Sequence, residues 1–291
     1  MSVLESQLIT SNSQLWQQPN GGLARPDRLV TRIQDEELLR IMGPCALQSK
    51  EQIESLLSVV ADNVDAVRAP GKKPRTRPVT TAGELVFEGI GLEKTATIFQ
   101  ELLHQHPQLI FACEAMSGDD IVALEDLQGL AWIGSRTQQQ ETCRSIGVAA
   151  NEQQIPVMVK NPMSADLELF LGMIENTILG AANGVPLLLC LRGTVPTTTE
   201  ERHNWRNVPN LEWLPILLES FPQLPILVDP SHMLNKKDLS PEKVVSIVDQ
   251  AIDKGAKGFI IELNTPAHPS LTDPGVDAEQ TLDLLVRKNL A

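Results

Sequence analysis

Eight times in 291 residues a short β-rich run is followed by a longer stretch with helical spacing. The runs are 39–45, 65–69, 109–114, 130–134, 156–160, 186–192, 225–229 and 258–263. Most are nearly continuous apolar runs, the pattern of parallel strands buried on both faces. Apolar residues recur every three or four positions in the stretches 50–60, 92–104, 119–127, 138–152, 165–179, 211–221, 241–253 and 276–286. In the last of these Ala278, Leu282, Leu285 and Val286 share one face. Ser240 followed by Pro241 supplies an N-cap and a first-turn proline. Eight such pairs predict an α/β fold of the (β/α)8 TIM-barrel type. The rival is a doubly wound open sheet, but no Gly-rich phosphate loop follows the first run.

Residues 1–36 are polar and irregular, with Gln17, Gln18, Pro19, Asn20, Gly21 and Gly22 in a row. They read as an N-terminal extension, a hairpin or a segment ordered by a neighbouring subunit, with the barrel occupying 37–291. The start of the chain lacks a basic segment followed by a long apolar run, so no signal peptide is expected. No membrane span is expected either, since no stretch approaches the ~18 apolar residues required. Cys45, Cys113, Cys143 and Cys190 form no close-set pairs, which predicts a reducing, cytoplasmic setting. The formal net charge of −13 argues against binding nucleic acid or an anionic membrane. Any anion bound is then small and held in a local basic pocket.

Such a pocket is visible at the carboxyl ends of the predicted strands, where barrels of this kind place their chemistry. The first strand ends at Cys45, the second at Arg68, the third at Glu114, the fifth at Lys160 and the sixth at Arg192. Arg136 and His232 lie just past the fourth and seventh, and Glu262 is in the eighth. Each residue alone reads as a solvated terminus or a packing position. Eight in equivalent places predict one ring. Its cations, with Lys73 and Arg75 from the loop after Arg68, outnumber what one carboxylate needs and suit phosphate oxygens. Cys45, His232, Glu262 and Asp273 offer a thiolate, an imidazole and two carboxylates, a set for Mn, Fe, Co or Zn rather than Ca or Mg.

The strand-end motifs carry a resemblance. They are G-P-C-A-L-Q-S at 43–49, R-A-P-G-K-K-P-R-T at 68–76, W-I-G-S-R-T at 132–137, V-K-N-P at 159–162, L-R-G at 191–193, V-D-P-S-H at 228–232 and I-I-E at 260–262. Over roughly 38–288 the chain resembles the 3-deoxy-D-arabino-heptulosonate 7-phosphate (DAHP) synthase family, its short-chain branch most closely. The resemblance implies that one divalent transition metal is held by Cys45, His232, Glu262 and Asp273. It implies that Arg68, Arg136, Lys160 and Arg192 bind phosphoenolpyruvate, and that Lys73, Pro74, Arg75 and Thr76 receive erythrose 4-phosphate. Lys73, Glu114, Lys160 and His232 become the candidate catalytic residues, and a homo-oligomer, dimer or tetramer, is expected. The chain departs from many relatives at Asn264, where they carry His.

Three other readings stay open. The same chemistry on arabinose 5-phosphate would make 3-deoxy-D-manno-octulosonate 8-phosphate, although Lys73-Pro74-Arg75-Thr76 favours the heptulosonate. A Schiff-base aldolase would use Lys160 as its amine. A catalytically silent phosphosugar-binding barrel is the third.

Overall fold

The computed structural model describes residues 37–75, 78–79, 83–124, 129–182 and 185–291. The expected extension, together with Thr76 and Arg77, lies outside the described residues. All eight predicted strands form: β1 (Leu39–Gly43), β2 (Ala66–Arg68), β3 (Ile110–Ala115), β4 (Gly129–Ile133), β5 (Val157–Lys160), β6 (Leu187–Leu191), β7 (Ile226–Val228) and β8 (Gly258–Asn264). Each pairs in parallel with the next, and β8 pairs back onto β1 with Gly43 opposite Glu262, closing the barrel.

The expected helices also form: α1 (Lys50–Val60), α2 (Leu92–Gln105), α3 (Gly118–Val122), α4 (Gln140–Gln153), α5 (Leu167–Ala181), α7 (Trp213–Ser220), α8 (Pro241–Asp253) and α9 (Ala278–Arg287). Ser49, Ser117, Asp166, Ser240 and Asp277 cap five of them through side-chain oxygens that accept backbone N–H groups. Some boundaries differ from expectation, β1 ending at Gly43 rather than Cys45 and α3 at Val122, and two elements are new. Between the runs 186–192 and 211–221, where no helix was expected, the short helix α6 (Thr199–Asn204) forms, closed by a Thr198–Glu201 capping box. Val276–Asp277 adds a two-residue strand, β9, beside β8 before α9 begins.

Two apolar layers hold the barrel. One lies between sheet and helices. The other fills the interior with Leu39, Ile41, Ala66, Ile110, Ala112, Leu130, Trp132, Met158, Leu188, Cys190, Leu227 and Ile260. Alternation along a strand puts every second residue on the same face. The interior position two residues beyond this plug is therefore Arg68 on β2, Glu114 on β3, Lys160 on β5, Arg192 after β6, Asp229 after β7 and Glu262 on β8. The period of the strand, not a loop, aims these groups at one volume.

Candidate active site

The cavity above the plug is lined by Arg68, Lys73, Pro74, Glu114, Trp132, Gly134, Ser135, Arg136, Lys160, Arg192 and His232. Arg68, Lys73, Lys160 and Arg192 are buried, as are the carboxylates Glu114, Asp229 and Glu262. Four buried cations thus face three buried carboxylates, with exposed Arg136 at the mouth. The surplus is positive in a chain that is acidic as a whole.

The groups divide into two linked networks. In the first, Glu262 accepts from Arg68 (Nη2 to Oε1, 2.8 Å) and lies 3.3 Å from the Lys73 ammonium. Lys73 also donates to the Cys45 carbonyl at 2.9 Å and to its Sγ at 2.7 Å. Arg68 is steadied by the carbonyls of Pro44 and Cys45, 3.1 and 3.3 Å away. Burial pushes up the Cys45 thiol, and Glu262 beside it pushes the same way. Burial alone would raise the Glu262 carboxyl, but Lys73, His232 and Arg68 outweigh it and hold it below the usual carboxylate range. In the second network Asp229 joins Lys160 (2.7 Å) to His232 Nδ1 (2.9 Å). Burial would raise the Asp229 carboxyl too, yet His232 and Lys160 bring it well below its ordinary value. His232 Nε2 stands 3.6 Å from Glu262 Oε1, so the networks meet there. Trp132 forms the floor, with Arg68 and Lys160 over its ring at 5.3 and 5.0 Å.

Burial pushes His232 down from 6.5 to about 4. Between those values an unfolded chain binds a proton that the folded imidazole refuses, so the unfolded state gains as pH falls. A metal-free preparation should lose stability on acidification from pH 6.5 towards 4, by on the order of 3 kcal/mol from this group. Urea midpoints at pH 7 and pH 4.5 measure it; equal midpoints would contradict the burial of His232.

Most sequence-predicted residues converge, and some do not. Arg68, Lys73, Pro74, Glu114, Arg136, Lys160, Arg192 and His232 line the cavity. Cys45 and Glu262 lie directly behind Lys73. Arg75 instead turns its guanidinium to the Phe87 carbonyl, 3.0 and 3.1 Å away. Asp273 is paired with Arg206 at 2.8 Å and Lys236 at 3.5 Å. Lys72, the neighbour of Lys73, meets Asp120 at 3.0 Å. Asn264 reaches the Gly275 carbonyl and ties β8 to the segment before β9.

Five contributors escaped the sequence reading. Asp229 and Trp132 sit inside quoted motifs, and strand parity would have put both on the interior face. Asn161 accepts the Arg192 N–H at 2.7 Å and donates to the Gly193 carbonyl, locking the ends of β5 and β6 together. Ser231 accepts the Glu262 N–H at 2.9 Å. Gly134 is demanded by space, because a Cβ there would land on a Glu114 carboxylate oxygen. Gly134→Ala should leave the melting temperature nearly unchanged while displacing Glu114 and cutting kcat by at least about tenfold, since small misplacements cost that much. Steady-state kinetics beside a thermal melt would expose the opposite pattern.

Among the described residues, no three His, Cys, Asp or Glu side chains stand as a ready-made metal cage. The donors nevertheless fit a divalent transition ion. Cys45 and Glu262 already converge on one cation, the Lys73 ammonium, with His232 beside them. Among the described residues Glu262 Oε2 has no hydrogen-bond partner, a buried carboxylate oxygen with unused acceptor capacity. Cys45, His232 and Glu262 would hold the ion; Asp273, the fourth expected ligand, is paired instead with Arg206 and Lys236.

Comparisons with known proteins agree with this architecture. The chain is 28% identical over 251 residues to the phospho-2-dehydro-3-deoxyheptonate aldolase of Thermotoga maritima, covering 86% of this chain and 67% of the relative. The crystal structure of a Thermotoga maritima phospho-2-dehydro-3-deoxyheptonate aldolase (DAHP synthase) superposes with a TM-score of 0.72 at 26% identity, over 88% of this chain and 69% of that one. A truncated DAHP synthase from the same organism, 22% identical, shares the fold with a TM-score of 0.67 over 88% and 86% of the two chains. Residues 23–290 match the profile of the DAHP synthetase I family. With the barrel, the ring of cations and this match in agreement, the chain belongs to the DAHP synthetase I family and is an enzyme of the 3-deoxy-7-phosphoheptulonate synthase type.

Proposed function

We propose that this enzyme condenses phosphoenolpyruvate with erythrose 4-phosphate to give DAHP and inorganic phosphate, with a divalent transition metal, as the first step towards aromatic amino acids. One observation carries the anionic substrate. Among the described residues, Arg68 Nη1 and Arg192 Nη1 are buried donors without acceptors. A buried guanidinium N–H left unpaired is costly, and phosphate and carboxylate oxygens are the acceptors whose geometry matches it. Arg68, Arg192, Lys160 and Arg136 would clamp phosphoenolpyruvate; Lys73, Pro74, Arg75 and Thr76 would take the aldose phosphate.

The chain's own groups have separable roles. The cations offset repulsion between two anionic substrates and hold them at attack distance. C3 of phosphoenolpyruvate bonds to the aldehyde carbon, water adds at C2, and the hemiketal phosphate expels inorganic phosphate. Lys160, anchored by Asp229 at 2.7 Å, would give a proton to the forming alkoxide. Glu114, on β3 two strands round the barrel from Lys160, is the candidate to take a proton from the attacking water. A bound metal would supply Lewis acidity at the aldehyde oxygen.

Lys160 lies 2.7 Å from Asp229, a contact that a Schiff-base amine would have to give up to reach a carbonyl. Borohydride with a carbonyl substrate should trap nothing. Turnover should vanish with a strong chelator and return with Mn²⁺, and Cys45→Ala should stay inactive in both conditions. Phosphate release from phosphoenolpyruvate, measured with erythrose 4-phosphate and then arabinose 5-phosphate, separates the heptulosonate reading from the octulosonate one. Release with neither aldose would leave a silent binding barrel.

A further inference from the structure

Lys73 occupies an unusual position for a residue expected to hold a substrate. An ammonium has three N–H donors. Here all three have acceptors: the Cys45 carbonyl at 2.9 Å, Cys45 Sγ at 2.7 Å and Glu262 Oε1 at 3.3 Å. While it sits there Lys73 has no donor left for a phosphate oxygen, although its side chain lines the anion cavity. Two of its three acceptors are also the side-chain atoms best suited to ligate a metal. Its backbone lies in the irregular segment after β2, fixed by its N–H to the Glu88 carbonyl at 2.8 Å. The four-carbon stem can therefore swing without moving a strand.

We propose that Lys73 is an internal cation that a divalent metal displaces: the two compete for Cys45 Sγ and Glu262, and the displaced ammonium turns into the cavity to meet the phosphate of a substrate. The inference rests on the metal reading above and adds an order of assembly to it. In the metal-free protein Lys73 neutralises Glu262, so the carboxylate is not left facing Arg68 alone. A doubly charged ion on the same two atoms would lie within contact distance of the ammonium, and the repulsion expels the more mobile of the two. Metal entry then completes the anion site by freeing a donor. By linkage, an anion that holds Lys73 in the cavity tightens metal binding in return.

The test is calorimetric titration of Mn²⁺ alone into the chelator-stripped full chain, as wild type, Lys73→Met and Lys73→Arg. Removing the competitor should tighten Mn²⁺ binding at least about fivefold in Lys73→Met, the low end of ordinary coupling between linked sites. Lys73→Arg, still cationic, should bind no tighter than wild type. Inorganic phosphate titrated with and without Mn²⁺ should show a larger metal-induced gain in wild type than in Lys73→Met. Circular dichroism checks folding, and Lys73→Gln takes the place of the methionine variant if that one fails to fold. Equal or weaker Mn²⁺ binding by the neutral variants overturns the exchange while leaving the metal reading intact. No Mn²⁺ binding by any of the proteins overturns both.

Discussion

Glu262→Ala should be both inactive and markedly less stable than the native chain. The substitution deletes the acceptor of Arg68 at 2.8 Å and of Lys73 at 3.3 Å, and all three side chains are buried. Removing one partner of a buried pair strands the other charge out of water, which costs about 3–5 kcal/mol. Arg68 cannot relieve the strain by deprotonating, because a guanidinium stays charged. Glu262→Gln keeps the shape and one acceptor oxygen, so it should recover part of the stability but no activity. Thermal melts in the metal-free state, run beside a DAHP-forming assay, test this directly. An alanine variant that melts with the native protein would mean that Glu262 does not neutralise the buried cations.

The second large effect is expected at Lys160. Its ammonium links Asp229 to the face of Trp132 and stands where the phosphoenolpyruvate clamp would close. Lys160→Met keeps the length and apolar stem but removes the charge and the proton, and kcat/KM should fall by about 10²–10⁴-fold, the usual worth of a positioned acid. Asp229 would then lose its ion pair while keeping His232, so stability should drop as well. Asp229→Asn is the informative partner. It leaves Lys160 in place without its anchor, and activity should fall less than in Lys160→Met. If Lys160→Met retained turnover within tenfold of native, proton delivery and anion clamping would have to come from other groups.

Much of the candidate site was legible because a strand has a period of two. Arg68, Glu114, Lys160, Arg192 and Glu262 each stand two residues beyond an apolar residue of the interior plug, a spacing readable without coordinates. The same rule applied to V-D-P-S-H would have found Asp229. It would also have found Trp132, which sits in the plug itself. Asn161 and Ser231 gave no such signal. Their value lies in single hydrogen bonds between neighbouring strand ends, and those pairings follow from barrel closure.

The extra helix at 199–204 was missed for a different reason. Six residues hold too few turns for a periodic apolar face, and its stability comes from the Thr198–Glu201 capping box. Arg75 and Asp273 show the limit from the other side. Their residue types suit a substrate site and a metal site, but in the folded chain Arg75 meets the Phe87 carbonyl and Asp273 meets Arg206. Neither partner is near in sequence, so no local pattern could announce them.

By itself the sequence determined the barrel, its eight strands and the face each functional side chain occupies, because hydrophobic periodicity and cap chemistry act over a few residues. The tertiary structure alone decided how the charges pair. Whether Lys73 meets Cys45 or a substrate, and whether Asp273 faces a metal or Arg206, depends on distances between strand ends that only closure of the ring sets. Electrostatic energy in a buried pocket varies steeply over such distances, so residue identity names the players and geometry assigns their partners.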